Sequence, residues 1–196
     1  MKKIIMGAAL AASLLTTQAV AAEVKNGTFV GVEVGSTSYD LRSENKTFPN
    51  LSGTDSASGG SQSIKLGKYL GNMGRVYGIL GRVNADGGDI TNFGVGYDYL
   101  IYNNSDFTPF VGLTLGHQQF DIDGTNFDIS GLTYGIELGV EYTLNKNFGI
   151  EFGYRVNLND SKETLTIRNS SVYADQTIDY TLEGAKIWYI GANYHF

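Results

Sequence analysis

The chain has 196 residues, a formal net charge of −6 and no cysteine, which leaves room for one ordinary domain and excludes a disulfide framework, a zinc ribbon and a thiol nucleophile. The acidic balance disfavours nucleic acid as a partner. Glycine, at 26 residues, is nearly double its usual ~7% share, yet 2 prolines without a glycine period exclude collagen, and 13 tyrosines with 10 phenylalanines are too many for a disordered chain.

Lys2 and Lys3 precede an apolar run from Ile4 to Leu15, and Ala19-Val20-Ala21 supplies the small side chains that a signal peptidase reads. Residues 1–21 are therefore expected to be a cleaved export signal, and residues 22–196 a single domain. The run is shorter than the ~20 apolar residues of a membrane helix.

From Phe29 onward the pattern has period two, which places alternate residues on opposite faces of extended strands. Val30, Val32 and Val34 oppose Gly31, Glu33 and Gly35; Ile64 and Leu66 oppose Lys65 and Gly67. In the third segment Tyr77, Ile79 and Val83 oppose Gly78 and Arg82, with Leu80 out of phase. Phe93, Val95, Tyr97, Tyr99 and Ile101 alternate with Gly94, Gly96 and Asp98, and Val111, Leu113 and Leu115 with Gly112, Thr114 and Gly116. The sixth segment sets Leu132, Tyr134, Ile136, Leu138, Val140 and Tyr142 against a face that includes Glu137, Gly139 and Glu141. The seventh sets Phe148, Ile150, Phe152, Tyr154 and Val156 against Glu151, Gly153 and Arg155. The last carries Trp188, Ile190, Ala192, Tyr194 and Phe196 on one face and Tyr189, Gly191, Asn193 and His195 on the other. A helical reading of the sixth segment, with Gly131, Gly135 and Gly139 as a packing stripe, would put Glu137 and Glu141 into hydrocarbon, which is costly.

The small-residue face decides the environment. A solvated exterior has little use for mid-strand glycine, which weakens a strand. The interior of a narrow closed barrel has such a use, because bulky lumen residues must be balanced by residues without side chains. The expected fold is all-β, an eight-stranded antiparallel up-and-down transmembrane barrel with the bulky apolar set toward lipid. Glu33, Lys65, Arg82, Asp98, Glu137, Glu141, Glu151 and Arg155 would then form a mixed-sign ionic network in the lumen. A soluble barrel with the same charges outside is the alternative.

Connections at residues 71–74, 102–106 and 145–147 are short; those at 39–61 and 159–176 are long and polar, 121–129 is intermediate and 86–89 is short. Short periplasmic turns and longer extracellular loops fit an outer-membrane barrel. Tyr69, Tyr77, Tyr99, Tyr102, Phe107, Tyr142, Phe148 and Tyr194 lie beside the short turns, where an interfacial aromatic girdle is expected.

Gly94-Val-Gly-Tyr-Asp-Tyr, Thr108-Pro-Phe-Val-Gly-Leu-Thr-Leu-Gly, Gly139-Val-Glu-Tyr, Phe152-Gly-Tyr-Arg and Tyr194-His-Phe resemble the strands of the OmpA/OmpX-type small outer-membrane barrels, and the resemblance covers nearly all of the chain after the signal. It implies outer-membrane lipid as the surroundings and recognition of the terminal strand, at Tyr194 and Phe196, by the outer-membrane assembly machinery. No peptidoglycan-binding domain follows the barrel, so anchoring to the cell wall is not implied.

The residues suggest little chemistry. Two histidines cannot make a three-histidine metal site. His195 reads as a polar lumen or rim residue. Some outer-membrane barrels modify lipid A with a membrane-facing histidine and serine; His117 points outward, but Gln119 rather than serine takes the next outward position. Asp121, Asp123, Asn126 and Asp128 gather oxygen ligands in one loop that can suit a divalent cation, although turns prefer the same residue types. The expectation is a non-enzymatic outer-membrane protein without a cofactor, with loops that contact an extracellular partner; a narrow porin is the alternative.

Overall fold

A computed structural model of the chain describes residues 26–85, 88–103, 105–122, 128–167 and 176–196. Eight strands, β1 (Asn26–Asn45), β2 (Gly53–Leu70), β3 (Arg75–Ala85), β4 (Gly88–Leu100), β5 (Phe107–Ile122), β6 (Asp128–Thr143), β7 (Phe148–Ile167) and β8 (Gln176–His195), pair with their sequence neighbours. All pairs are antiparallel, and β1 closes on β8. Closure leaves no lateral edge through the belt, which satisfies the backbone groups that lipid cannot. No helix among the described residues is long and apolar enough to cross a membrane.

Alternation fixes the faces. Val32, Ile64, Val95, Leu113, Ile136 and Ile190 stand outward and exposed, while Glu33, Lys65, Asp98, Glu137 and Tyr189 turn into the bore. Strand β3 departs from the expected phase. Tyr77 and Val83 are buried in the lumen, and Leu80 and Arg82 are exposed outside. Tyr77 therefore does not belong to the girdle, and neither does Tyr69, which is also buried. Outside, Phe107 packs on Tyr142 and Phe148 on Tyr194, at centroid separations of 4.8 and 5.4 Å.

Two connections expected to be long loops are mostly strand. β1 runs to Asn45 and β2 resumes at Gly53, while β7 runs to Ile167 and β8 begins at Gln176. A membrane strand needs ~9–11 residues; β1, β7 and β8 each have 20 and β2 has 18. The surplus projects past the belt as a four-stranded sheet, β7-β8-β1-β2. β3 pairs with β2 only from Gly59 downward, and β6 pairs with β7 only up to Ser161. Among the described residues, 53–58 of β2 and 162–167 of β7 are therefore paired on one side only.

Candidate functional site in the barrel lumen

Three cations organise the bore. Arg75, on the first residue of β3, reaches three strands. Its Nε donates to Asp98 Oδ2 at 2.7 Å, Nη1 to Glu141 Oε2 at 3.0 Å and Nη2 to Glu151 Oε2 at 2.8 Å. Lys65 on β2 donates to Glu151 Oε1 at 2.8 Å, pairs closely with Glu33 and lies 3.6 Å from Glu137. Arg155 on β7 pairs with Glu137 through Nε and with Glu33 through Nη2, the latter at 3.2 Å. Asn193 adds donors to Glu151 at 2.9 Å and to Glu141 at 3.2 Å, and Ser63 donates to Glu33 at 2.6 Å. Every one of the five carboxylates thus meets a cation, as burial of ions demands.

Aromatic rings fill the space between these ions. Tyr77 and Tyr189 both donate to Glu137, and Arg75 sits 4.9 Å from the Phe110 centroid and 5.4 Å from that of Phe29. Glycine makes this possible. A β-carbon at Gly96 would overlap the Tyr77 ring directly across from it, and one at Gly153 would overlap Tyr189. At the short-turn end of the bore His195 Nε2 lies 3.1 Å from the Tyr69 hydroxyl and 3.7 Å from Glu141.

The structure therefore brings together Glu33, Lys65, Asp98, Glu137, Glu141, Glu151 and Arg155. It does not bring Arg82 to them. That guanidinium is on the outer wall, paired with Asp89, because β3 turns its bulky set inward. The place assigned to Arg82 is held by Arg75, which the sequence reading passed over beside the turn at residues 71–74. Gly74, at φ +114, makes that turn in a backbone region open to glycine.

Voids of about 20 and 30 Å³ flank Arg155, each enough for about one or two waters. Thr133 Oγ1 and Asn157 Oδ1, beside the larger void, are buried without a protein partner and suit such water. Toward the projecting sheet, Tyr39, Val83, Ile90, Phe120, Ile129 and Leu182 form an apolar cap across the bore.

His117 lies on the outer wall against Phe93, at a centroid separation of 5.6 Å. Tyr194 and Phe196 turn their rings outward and contact each other at 5.0 Å. Of the candidate cation loop, residues 123–127 lie outside the described residues; Asp121 and Asp128 are paired positions of β5 and β6, and Asp121 accepts from Gln119 at 3.0 Å. No cluster of three or more metal-ligating side chains occurs among the described residues.

A closed eight-stranded barrel with an apolar exterior and a bore of paired ions is an integral outer-membrane protein by architecture. Residues 7–196 match the family model for the outer membrane protein beta-barrel domain, and the chain belongs to that family. Its localisation is the bacterial outer membrane. Among solved structures, it is similar to the outer membrane protein OprG of Pseudomonas aeruginosa, at 17% identity over 89% of this chain and 99% of that one, with a TM-score of 0.61. Neisserial surface protein A aligns at 17% identity over 84% and 97% of the two chains, and AlkL, solved in lipid bilayers, at 15% over 91% and 94%; both have a TM-score of 0.54. At such identities the likeness concerns the fold alone. No curated protein sequence matches the chain.

Proposed function

We propose that the protein is a non-catalytic surface-display barrel: the ionic lumen rigidifies a lipid-anchored cylinder, and the projecting sheet meets an extracellular partner. The observation that carries this reading is the four-stranded extension β7-β8-β1-β2, whose outer strands each keep one edge unpaired among the described residues, above a filled bore. An open edge offers backbone donors and acceptors to an added strand. The tip of the β1–β2 hairpin supports it with an exposed Leu51 on a short 3₁₀ turn, Pro49–Leu51. A filled bore argues against the narrow-porin reading. On the same reading residues 1–21 direct export, and the outward rings of Tyr194 and Phe196 are the surface that the assembly machinery grips.

Because the chain has no cysteine, single thiols test the display directly. Asn50→Cys is expected to react with a membrane-impermeant maleimide on intact cells, and Lys146→Cys, in the β6–β7 turn, only after the outer membrane is permeabilised. The reverse pattern would overturn the reading.

A further inference from the structure

The lipid-facing wall is not uniform. A groove of about 1110 Å³ runs along it from Thr28 and Lys68 to Leu158. Its floor lies between two rows of outward side chains defined by the strand register. One row runs Thr28, Lys68, Val76, Tyr97; the next contains Leu66, Gly78 and Val95. Such rows lie across tilted strands and so wind around the cylinder. This one starts near the short-turn end of β1 and β2 and climbs toward the outer half of β7.

Two features of the groove lack a packing explanation. Gly78 leaves a notch in the wall, and a β-carbon there would meet nothing nearer than 3.9 Å. The lumen glycines differ: at Gly96 and Gly153 a side chain would collide. The second feature is Lys68, exposed at the periplasmic mouth of the groove, whose ammonium has no ion-pair partner among the described residues. Thr28 stands directly across from it and Tyr97 closes the same rim, its hydroxyl donating to the Met73 carbonyl. A cation and a hydroxyl at the interface, continuous with an apolar channel, match the chemistry of a phosphodiester headgroup attached to an acyl chain.

We propose that this groove is a binding site for one glycerophospholipid of the periplasmic leaflet, with its phosphate on Lys68 and Thr28 and an acyl chain seated over Gly78. The periplasmic leaflet is the source because Lys68 lies two residues from the end of β2, at the short-turn rim. Lipid A, in the opposite leaflet, would place its phosphates at the far end of the same groove, near Lys186.

Native mass spectrometry of the folded barrel, released from detergent micelles doped with phosphatidylglycerol or with lipid A, tests the site. The wild-type protein is expected to retain one phosphatidylglycerol. Lys68→Gln and Gly78→Leu should each lower retention about tenfold, the change expected for losing one charge-assisted contact or filling the notch. Lys186→Gln should leave retention unchanged. Both test positions face outward, and the gel mobility of unheated samples verifies that each variant is folded. Equal retention by wild type and both variants, preferential retention of lipid A, or loss on Lys186→Gln alone would overturn the assignment.

Discussion

Arg75 is fully buried and shares its fork among Asp98, Glu141 and Glu151. Removing one partner from such a network leaves the others as uncompensated buried charges, a loss of about 3–5 kcal/mol. Arg75→Met is accordingly expected to destabilise the folded barrel by about that amount, whereas Arg82→Met, whose side chain is 54% exposed beside Asp89, should cost less than ~1 kcal/mol. Urea unfolding in detergent, followed by Trp188 fluorescence, compares them; equal losses would contradict the assignment of the lumen cation. The rule that bulky residues face lipid and small or charged ones face the bore reads seven of the strands well, from Val30 on β1 to Trp188 on β8. It fails at Tyr77 because a tyrosine that lies over a glycine on the next strand is also a lumen residue. The partner that licenses this, Gly96, sits 19 positions away in sequence, and only the register joins them. Leu80, out of phase with its neighbours, was the available sign that β3 faces the other way.

Strand length sets what each hairpin does. β3 and β4, with 11 and 13 residues, are little longer than the belt, whereas β1, β2, β7 and β8 continue into water. Both faces of those extensions meet solvent or the rim, so the sequences around Ser43, Thr54 and Thr164 lose the apolar alternation that marks a membrane strand. That is why residues 39–61 and 159–176 read as loops, although the hairpin pairing persists through Arg42 opposite Thr54. The tip is organised locally: the Asn45 side chain accepts from the Thr47 and Phe48 amides at 3.0 and 2.8 Å. Joining Arg42 to Thr54 through a two-residue Asn-Gly turn is expected to leave the barrel folded, since that pair accepts a tight hairpin loop and no belt hydrogen bond is lost. The mobility of unheated and heated samples on a gel reports folding; failure of the trimmed chain to fold would show that the extension nucleates the barrel.

At the scale of the whole molecule, closure of β1 on β8 turns a set of amphipathic strands into a cylinder with a hydrocarbon exterior and no open lateral edge within the belt. Within it two barriers stand in series. The ionic layer ties β1, β2, β3, β4, β6 and β7 across the bore, and the apolar cap around Phe120 and Leu182 covers its outer end. Five carboxylates and three cations, all buried, hold one another in place of solvent, and the two voids beside Arg155 each hold only about one or two waters. Except on β3, the exterior alternation and the lumen charges were legible in the sequence because each depends on a single strand. The cap and the Arg75 fork were not, because they gather side chains from several strands. Planar-bilayer recording of the refolded wild-type protein tests the closed bore most directly. The account predicts no steady open-channel current; a stable stepwise conductance that changes when Glu137 is replaced by Gln would contradict it.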